Sequence, residues 1–182
     1  MNRASETLRR LERLQDAENC IRRGIEQGRR LFSEPNETLS FMFGTLGLTR
    51  RAQGDPTDAV RWLRASYDGF KGLPGDHRAD IARTLSNLGN ALDDVPDVDA
   101  AIEAHEEAVL LAGEVLGPDD DRTITYLRNL AGTLAIAEKS DRLDAVIERI
   151  EQYRRQPEQA PSKATQPEQN AQTARLAEDR SG

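Results

Sequence analysis

Residues 85–92 read Leu85-Ser86-Asn87-Leu88-Gly89-Asn90-Ala91-Leu92. The three leucines recur at spacings of three and four residues, and this spacing predicts an amphipathic α-helix. Because glycine has no side chain, a second helix can approach the backbone closely at Gly89. After a short break, the alanine-rich stretch 99–108 predicts that second helix. The two segments together predict a helix pair.

The same features return every 42 residues along the chain. The equivalent positions are Leu46, Leu88 and Leu130 in one predicted helix, and Ala17, Ala59 and Ala101 in the next. An internal period of about 20 to 50 residues is typical of solenoids, in which each unit buries its apolar face only by stacking on its neighbours. The sequence therefore predicts an array of like helix pairs.

The stretch 85–108 resembles the tetratricopeptide repeat, in which a large apolar residue is followed by Leu-Gly and, in the second helix, by small alanines. The stretches 43–48 and 127–134 repeat the pattern. The period exceeds the commonest form of about 34 residues, so the resemblance is to the variety found in kinesin light chain and in bacterial multidomain regulators. It covers roughly residues 3–156. It implies an all-α, right-handed superhelical solenoid of about four stacked antiparallel helix pairs.

The two ends of the array depart from the pattern. Glu12 stands where the first copy should have its glycine, so residues 7–32 form either a bent helix pair or one long helix, and we favour the pair. In the last copy an insertion around 137–141 displaces the second helix. That helix, over 141–155, carries an apolar stripe and a polar outer face that can close the array. The stripe consists of Leu143, Val146, Ile147 and Ile150.

Domain organisation follows from composition. We expect residues 1–156 to form the repeat domain and residues 157–182 to be a disordered tail, because the tail has three prolines and Leu176 as its one large aliphatic residue. Of the 182 residues, 37% are hydrophobic but only 4% aromatic, which suits Leu/Ala helix packing. The single cysteine, Cys20, is expected to be a small buried residue. The first twenty residues hold no uninterrupted apolar stretch, so we expect a cytoplasmic protein without a membrane span.

Candidate binding residues come from the resemblance, which implies that the first helix of each pair lines a concave groove that binds peptides. Asn87 and Asn129 occupy the same slot, where an amide can both donate to and accept from the backbone of an extended peptide. Alternatively, either Asn caps a loop or bonds the adjacent helix. The implied groove residues are Phe41, Thr45, Leu48, Arg51, Arg83, Ser86, Asn87, Asn90, Asp94, Thr125, Arg128 and Asn129.

Charge along the chain bears on the partner. Residues 91–121 hold eleven acidic residues and no Lys or Arg, whereas residues 1–31 hold eight arginines and five acidic residues. An acidic field favours a basic peptide and repels nucleic acid. Solvated carboxylates at helix starts, such as Asp97 and Asp120, are the alternative explanation. Exposed apolar surface around Leu8 and Leu11 raises a further alternative, a homo-oligomer formed through the N-terminal helices.

Catalytic and metal-binding patterns do not emerge from the residues present. His77 and His105 are far apart and lack metal-ligand spacing, no nucleotide-binding motif occurs, and Cys20 has no nearby histidine to activate it. We therefore expect no enzyme activity, no metal and no cofactor. His105 lies at a position that is apolar and inter-helical in the family, so we expect a packed and hydrogen-bonded imidazole.

The leading hypothesis is a non-catalytic module that binds a protein or peptide segment in its groove and acts as an adaptor or regulatory scaffold. Two other classes remain open. One is a regulatory enzyme subunit of the helical-repeat phosphatase type, supported only by the acidic middle. The other is a self-assembling structural spacer whose termini carry the interface.

Overall fold

The computed structural model describes residues 3–33 and 35–155. Over this part of the chain it contains seven α-helices and no strand, which confirms the all-α prediction. The predicted disordered tail lies outside the described residues. The helices are α1 (Arg3–Leu31), α2 (Glu37–Ala52), α3 (Pro56–Lys71), α4 (Arg78–Asp93), α5 (Val98–Val115), α6 (Asp121–Ile136) and α7 (Ser140–Arg155).

The helices stack in chain order. Three hairpins, α2–α3, α4–α5 and α6–α7, follow one another, and α1 packs on α2. The second helix of each hairpin also contacts the first helix of the next, and the first helices α2, α4 and α6 contact each other in turn. The predicted solenoid of packed helix pairs is therefore confirmed. Leu46, Leu88 and Leu130, which the period made equivalent, are all buried.

The first unit is one long helix, so our preference for a bent pair was wrong, and three pairs rather than four follow it. The reason is local, because no glycine or proline interrupts residues 3–23. Without a first helix to cover it, Ala17 is exposed, although its equivalents Ala59 and Ala101 are buried. Cys20 is exposed too, which corrects the expectation of a buried cysteine.

Helix starts follow ordinary capping chemistry. The Asn36 side chain accepts a hydrogen bond from the backbone N–H of Leu39 at the start of α2. Asp55 does the same for α3, where Pro56 occupies the first helical turn. Gly54, with a φ of +85°, makes the turn before it. The predicted break at 54–56 and the second helix after it are thus as expected.

Within each of the first two hairpins, a small residue meets a large one across the two helices. A Cβ added to Gly47 would lie 2.7 Å from Leu63 Cγ and 3.1 Å from the backbone oxygen of Ala59. A Cβ added to Gly89 would lie 2.6 Å from the ring of His105. The equivalent glycines therefore serve the same purpose, which is to let α3 and α5 approach α2 and α4 closely.

The last hairpin departs from this arrangement. Of the predicted apolar stripe on α7, Ile150 is buried and Leu143 and Val146 are half-buried, but Ile147 is 42% exposed. The register change arises in the connection, where Glu138 has a φ of +55°. In the regular register Ile147 would take the place of Leu63. The predicted insertion thus rotates α7 away from the packing used by α3 and α5.

A cluster of charged side chains attaches α1 to the first hairpin. Glu18, 5% exposed, accepts hydrogen bonds from Arg22 Nε at 2.7 Å and from Gln53 Nε2 at 3.0 Å. Arg50 Nη1 lies 3.3 Å from the Glu18 carboxylate, and its Nε lies 2.8 Å from Asp58. Because α1, α2 and α3 each contribute charged groups, the cluster connects all three helices.

The Glu18 carboxylate is held in its charged form. Burial by itself would raise the pKa of Glu18, but the hydrogen bonds from Arg22 and Gln53 and the charges of Arg50 and Arg22 lower that pKa below its ordinary value of 4.5. A carboxyl whose pKa is lower in the folded state stabilises the fold above its unfolded pKa. This contribution is lost as the pH falls through the folded pKa.

We expect Glu18→Ala to lower the free energy of unfolding by about 3 kcal/mol at neutral pH, because it leaves Arg50 partly uncompensated in a buried cluster. The matched control is Glu26→Ala in the same helix. Glu26 makes an exposed pair with Arg30, and such pairs contribute less than about 1 kcal/mol. Urea unfolding measures both variants. Equal losses would contradict the role assigned to the cluster.

Two glycine substitutions test the hairpin contact. Gly47→Ala should destabilise the protein, because the added methyl collides with Leu63 and with a backbone oxygen that cannot move away. Gly132→Ala, on the exposed side of α6 with open space around it, should stabilise by about 0.5 to 1 kcal/mol through helix propensity. Thermal melts of the two variants should shift in opposite directions, and a shift in the same direction would rule out the proposed packing.

Candidate functional site

The predicted groove residues lie on the stacked first helices α2, α4 and α6 or directly after α4, but they differ in accessibility. Ser86 is 2% exposed and is not available to a ligand. Five residues are half-buried and six are exposed. The half-buried ones are Arg51, Arg83, Asn87, Asn90 and Asn129, and the exposed ones are Phe41, Thr45, Leu48, Asp94, Thr125 and Arg128.

Several of these residues bind each other across the junction between the first and second hairpins. Arg51 Nε donates to the Asp94 carboxylate at 2.6 Å. The Arg83 guanidinium lies 5.2 Å from the centre of the Phe41 ring, which itself meets Phe70 edge-on at 4.8 Å. Four of the predicted residues therefore hold α2 and α4 in register.

The junction between the second and third hairpins is polar. Asn129 Nδ2 donates to Ser86 Oγ at 3.0 Å, and Thr133 Oγ1 donates to Asp93 Oδ2 at 2.8 Å. The alternative that an Asn bonds the adjacent helix is therefore the one observed for Asn129. Its amide joins α6 to α4, and its carbonyl oxygen is the part left for any other contact.

The remaining accessible side chains form a mixed surface, which we call the first-helix face and define by Phe41, Leu48, Asn87, Asn90 and Arg128. Phe41 and Leu48 are each 39% exposed. The hydroxyls of the neighbouring threonines donate to carbonyls of their own helices, so they offer a ligand little beyond their methyl groups. The first-helix face thus combines apolar side chains at one end, two amides in the middle and a guanidinium at the other end.

The acidic run does not concentrate on this face. Glu103, Glu106 and Glu107 are exposed on α5, a second helix. Asp120 caps α6 by accepting from the backbone N–H of Arg122, as the alternative explanation of the acidic residues required. Asp97 stands at the start of α5 without a side-chain capping bond. Much of the acidic charge is therefore located away from the first-helix face.

Both histidines lie outside the first-helix face. His105 is fully buried, as expected, but neither ring nitrogen has a hydrogen-bond partner among the described residues, so the expected hydrogen bond is not formed. His77 falls in a group with Glu37 and Asp80, whose ligand-type atoms lie within 4.8 Å of one another. Glu37 is exposed and Asp80 pairs with Arg83 at 3.2 Å. Surface carboxylates with their own partners are a poor metal site.

Residues 80–142, which span α4 to the start of α7, match the family model described as tetratricopeptide repeat. This part of the chain consists of tetratricopeptide repeats. The match includes Gly89, Asn129 and the polar junction between them. The tetratricopeptide fold generally mediates protein–protein interaction, and proteins with it are typically non-catalytic.

Solved structures with the same fold extend beyond that segment. The kinesin light chain nearly identical TPR-like repeats of Podosopora anserina align with 81% of the chain and 70% of their own, at 13% identity and a TM-score of 0.67. A variant of those repeats that carries one substitution gives 13% identity and a TM-score of 0.68, over 81% and 69% of the two chains. BtubC (BKLC) from P. vanneervenii gives 21% identity and a TM-score of 0.64, over 80% and 58%.

At these identities the likeness concerns the fold alone. It supports the prediction of kinesin-light-chain-like repeats along the larger part of the chain. No curated protein matches the sequence. In the described part of the chain, no helix combines the length and apolar character needed to cross a membrane.

The two equivalent asparagines should respond differently to substitution. Asn129→Ala should lower the free energy of unfolding by about 1 kcal/mol, because it removes the bond to the buried Ser86 hydroxyl. Asn87→Ala, at the equivalent position of α4, should leave stability nearly unchanged. Urea unfolding distinguishes them. A larger loss from Asn87→Ala would show that the junction is held differently.

Proposed function

We propose that the chain is a non-catalytic adaptor or regulatory scaffold that binds a peptide or protein segment on the first-helix face. The observation that carries this proposal is the combination of exposed apolar and amide side chains on a rigid stack of helices. Phe41 and Leu48 are large apolar residues that remain partly exposed, although the rest of α2 is well packed. Exposed apolar groups next to satisfied polar groups are typical of interaction surfaces.

Preorganisation supports the same proposal. Arg51–Asp94, Arg83–Phe41 and Asn129–Ser86 connect neighbouring hairpins, so the helices need little reorganisation to receive a ligand. A surface that is already ordered loses less entropy on binding than a flexible one. The amides of Asn87 and Asn90 would bind the ligand backbone, and Phe41 with Leu48 would receive an apolar side chain.

The charge of the proposed partner is less constrained than the acidic run suggested. On the first-helix face, Asp94 is paired with Arg51, and Arg128 adds a positive charge. We therefore propose a ligand with an apolar anchor and an ordinary peptide backbone. A basic ligand has its support in the acidic side of α5, away from this surface.

Partner capture tests the proposal. The immobilised protein is exposed to lysate of the organism that makes it, and retained proteins are identified by mass spectrometry. Leu48→Glu should abolish retention of the specific partners, and the Asn87→Ala, Asn90→Ala double variant should weaken it. The control is Leu110→Glu, which places the same charge on an exposed leucine of α5, a second helix. Equal effects of Leu48→Glu and Leu110→Glu, or no effect of either, would reject the first-helix face as the binding surface.

Self-association is a second candidate, favoured by apolar residues on α1. Leu11 is 46% exposed and Leu31 is 76% exposed, and Phe32 follows directly at 45%. The side chain of Leu8 lies outside the described residues. A helix with this much exposed apolar area can pair with a second copy. Light scattering across a concentration series should show a dimer that Leu31→Glu and Leu11→Glu convert to a monomer. A wild-type monomer at all concentrations removes this candidate.

A further inference from the structure

His105 occupies a position where the preceding hairpin has an aliphatic residue. It lies 42 residues after Leu63, and Gly89 lies 42 residues after Gly47. Both glycines receive the side chain from the second helix at short distance, as described above. The fold therefore accepts a leucine at this position. A fully buried histidine there needs a reason other than packing.

The surroundings of the ring leave its polar atoms unsatisfied. Among the described residues, neither nitrogen of His105 has a hydrogen-bond partner, and the same holds for Asp93 Oδ1. The charged atom beside the ring is Asp93 Oδ2, 3.5 Å from His105 Nε2. That distance exceeds the roughly 2.7 to 2.9 Å of a charge-assisted bond between a cation and a carboxylate. Imidazole and carboxylate are thus close neighbours that do not bond.

The same carboxylate oxygen is engaged elsewhere. Asp93 Oδ2 accepts the hydroxyl of Thr133 from α6 at 2.8 Å. Asp93 therefore stands between His105 of its own hairpin and Thr133 of the next. The charged group that faces the ring from α4 is Asp93, and the side chain from α6 at this point is Thr133, which is neutral. The acidic side chains of α5 itself, Glu103, Glu106 and Glu107, are exposed.

We propose that His105, Asp93 and Thr133 form a proton-operated latch between the second and third hairpins. With a neutral ring, Asp93 holds Thr133 and joins α4 to α6. When solvent supplies a proton to the ring, the resulting imidazolium attracts the carboxylate into an ion pair. The Thr133 hydroxyl then loses its acceptor, and the junction that also contains Asn129 and Ser86 opens. Acid thereby changes the spacing of the α4 and α6 parts of the first-helix face.

The direction of the pH dependence follows from the burial of the ring. Burial lowers the pKa of His105, and the nearby Asp93 carboxylate opposes this only in part, so the ring is neutral at pH 7. A histidine whose pKa is lower in the folded state stabilises the fold above its ordinary pKa of about 6.5. That contribution falls as the pH decreases below this value. The latch is closed at neutral pH and opens on mild acidification.

Amide hydrogen exchange of α6, corrected for the intrinsic pH dependence of exchange, tests the latch at about pH 7.5 and about pH 5.5. Wild-type protection in α6 should fall by about tenfold, the effect of one pKa unit. His105→Leu, which copies the Leu63 arrangement, should show no such fall. Thr133→Val should be weakly protected at both pH values because its latch is already open.

A second measurement uses the unaltered protein. The imidazole resonances of His105 are followed by NMR, with those of His77, the other histidine of the chain, as an internal reference. The latch requires that His105 titrate below about 6.5 and that α6 amide resonances move with it. Titration above that value, unchanged α6 resonances, or an equal acid response in His105→Leu would each overturn the proposal. These outcomes do not depend on any ligand of the first-helix face.

Discussion

The close approach of two helix backbones within a hairpin is the constraint on which the rest of the structure depends. Gly47 admits Leu63, and Gly89 admits the ring of His105, so the paired helices lie near enough to exclude water between them. Dense packing of this kind is costly to disturb, because interiors have few voids and side chains occupy fixed rotamers. Where the contact is lost, in the hairpin of α6 and α7, Ile147 is left exposed.

Polar groups then set the relation of one hairpin to the next. The junctions contain a salt bridge, a cation over an aromatic ring and hydrogen bonds between side chains, and each has geometric requirements that apolar contacts lack. The Glu18 and Arg50 cluster does the same for α1. Consequently the residues that looked like ligand contacts from their positions are partly structural. The first-helix face is the remainder left after these bonds are made.

The predictions from sequence were accurate where they rested on periodicity. The spacing of leucines, the break at 54–56 and the equivalence of Leu46, Leu88 and Leu130 all reflect local helix geometry and repeat stacking, which a single sequence displays. They were wrong for the break in α1 and for Cys20, because both depended on a covering helix that the first unit lacks. The Glu18–Arg50 pair spans 32 residues and obeys no repeat spacing, so no sequence pattern signalled it.

The sequence by itself determined the class of fold, the hairpin boundaries and the glycines at which helices meet, because each depends on residues near one another in the chain. Only the tertiary structure decided which polar residues remain accessible. Asn87 and Asn129 are indistinguishable by position, yet Asn129 is bonded to Ser86 and the equivalent neighbour of Asn87 is Gly44, which has no hydroxyl to offer. Accessibility depends on what the adjacent helix places opposite each side chain, and that pairing arises only when the hairpins stack.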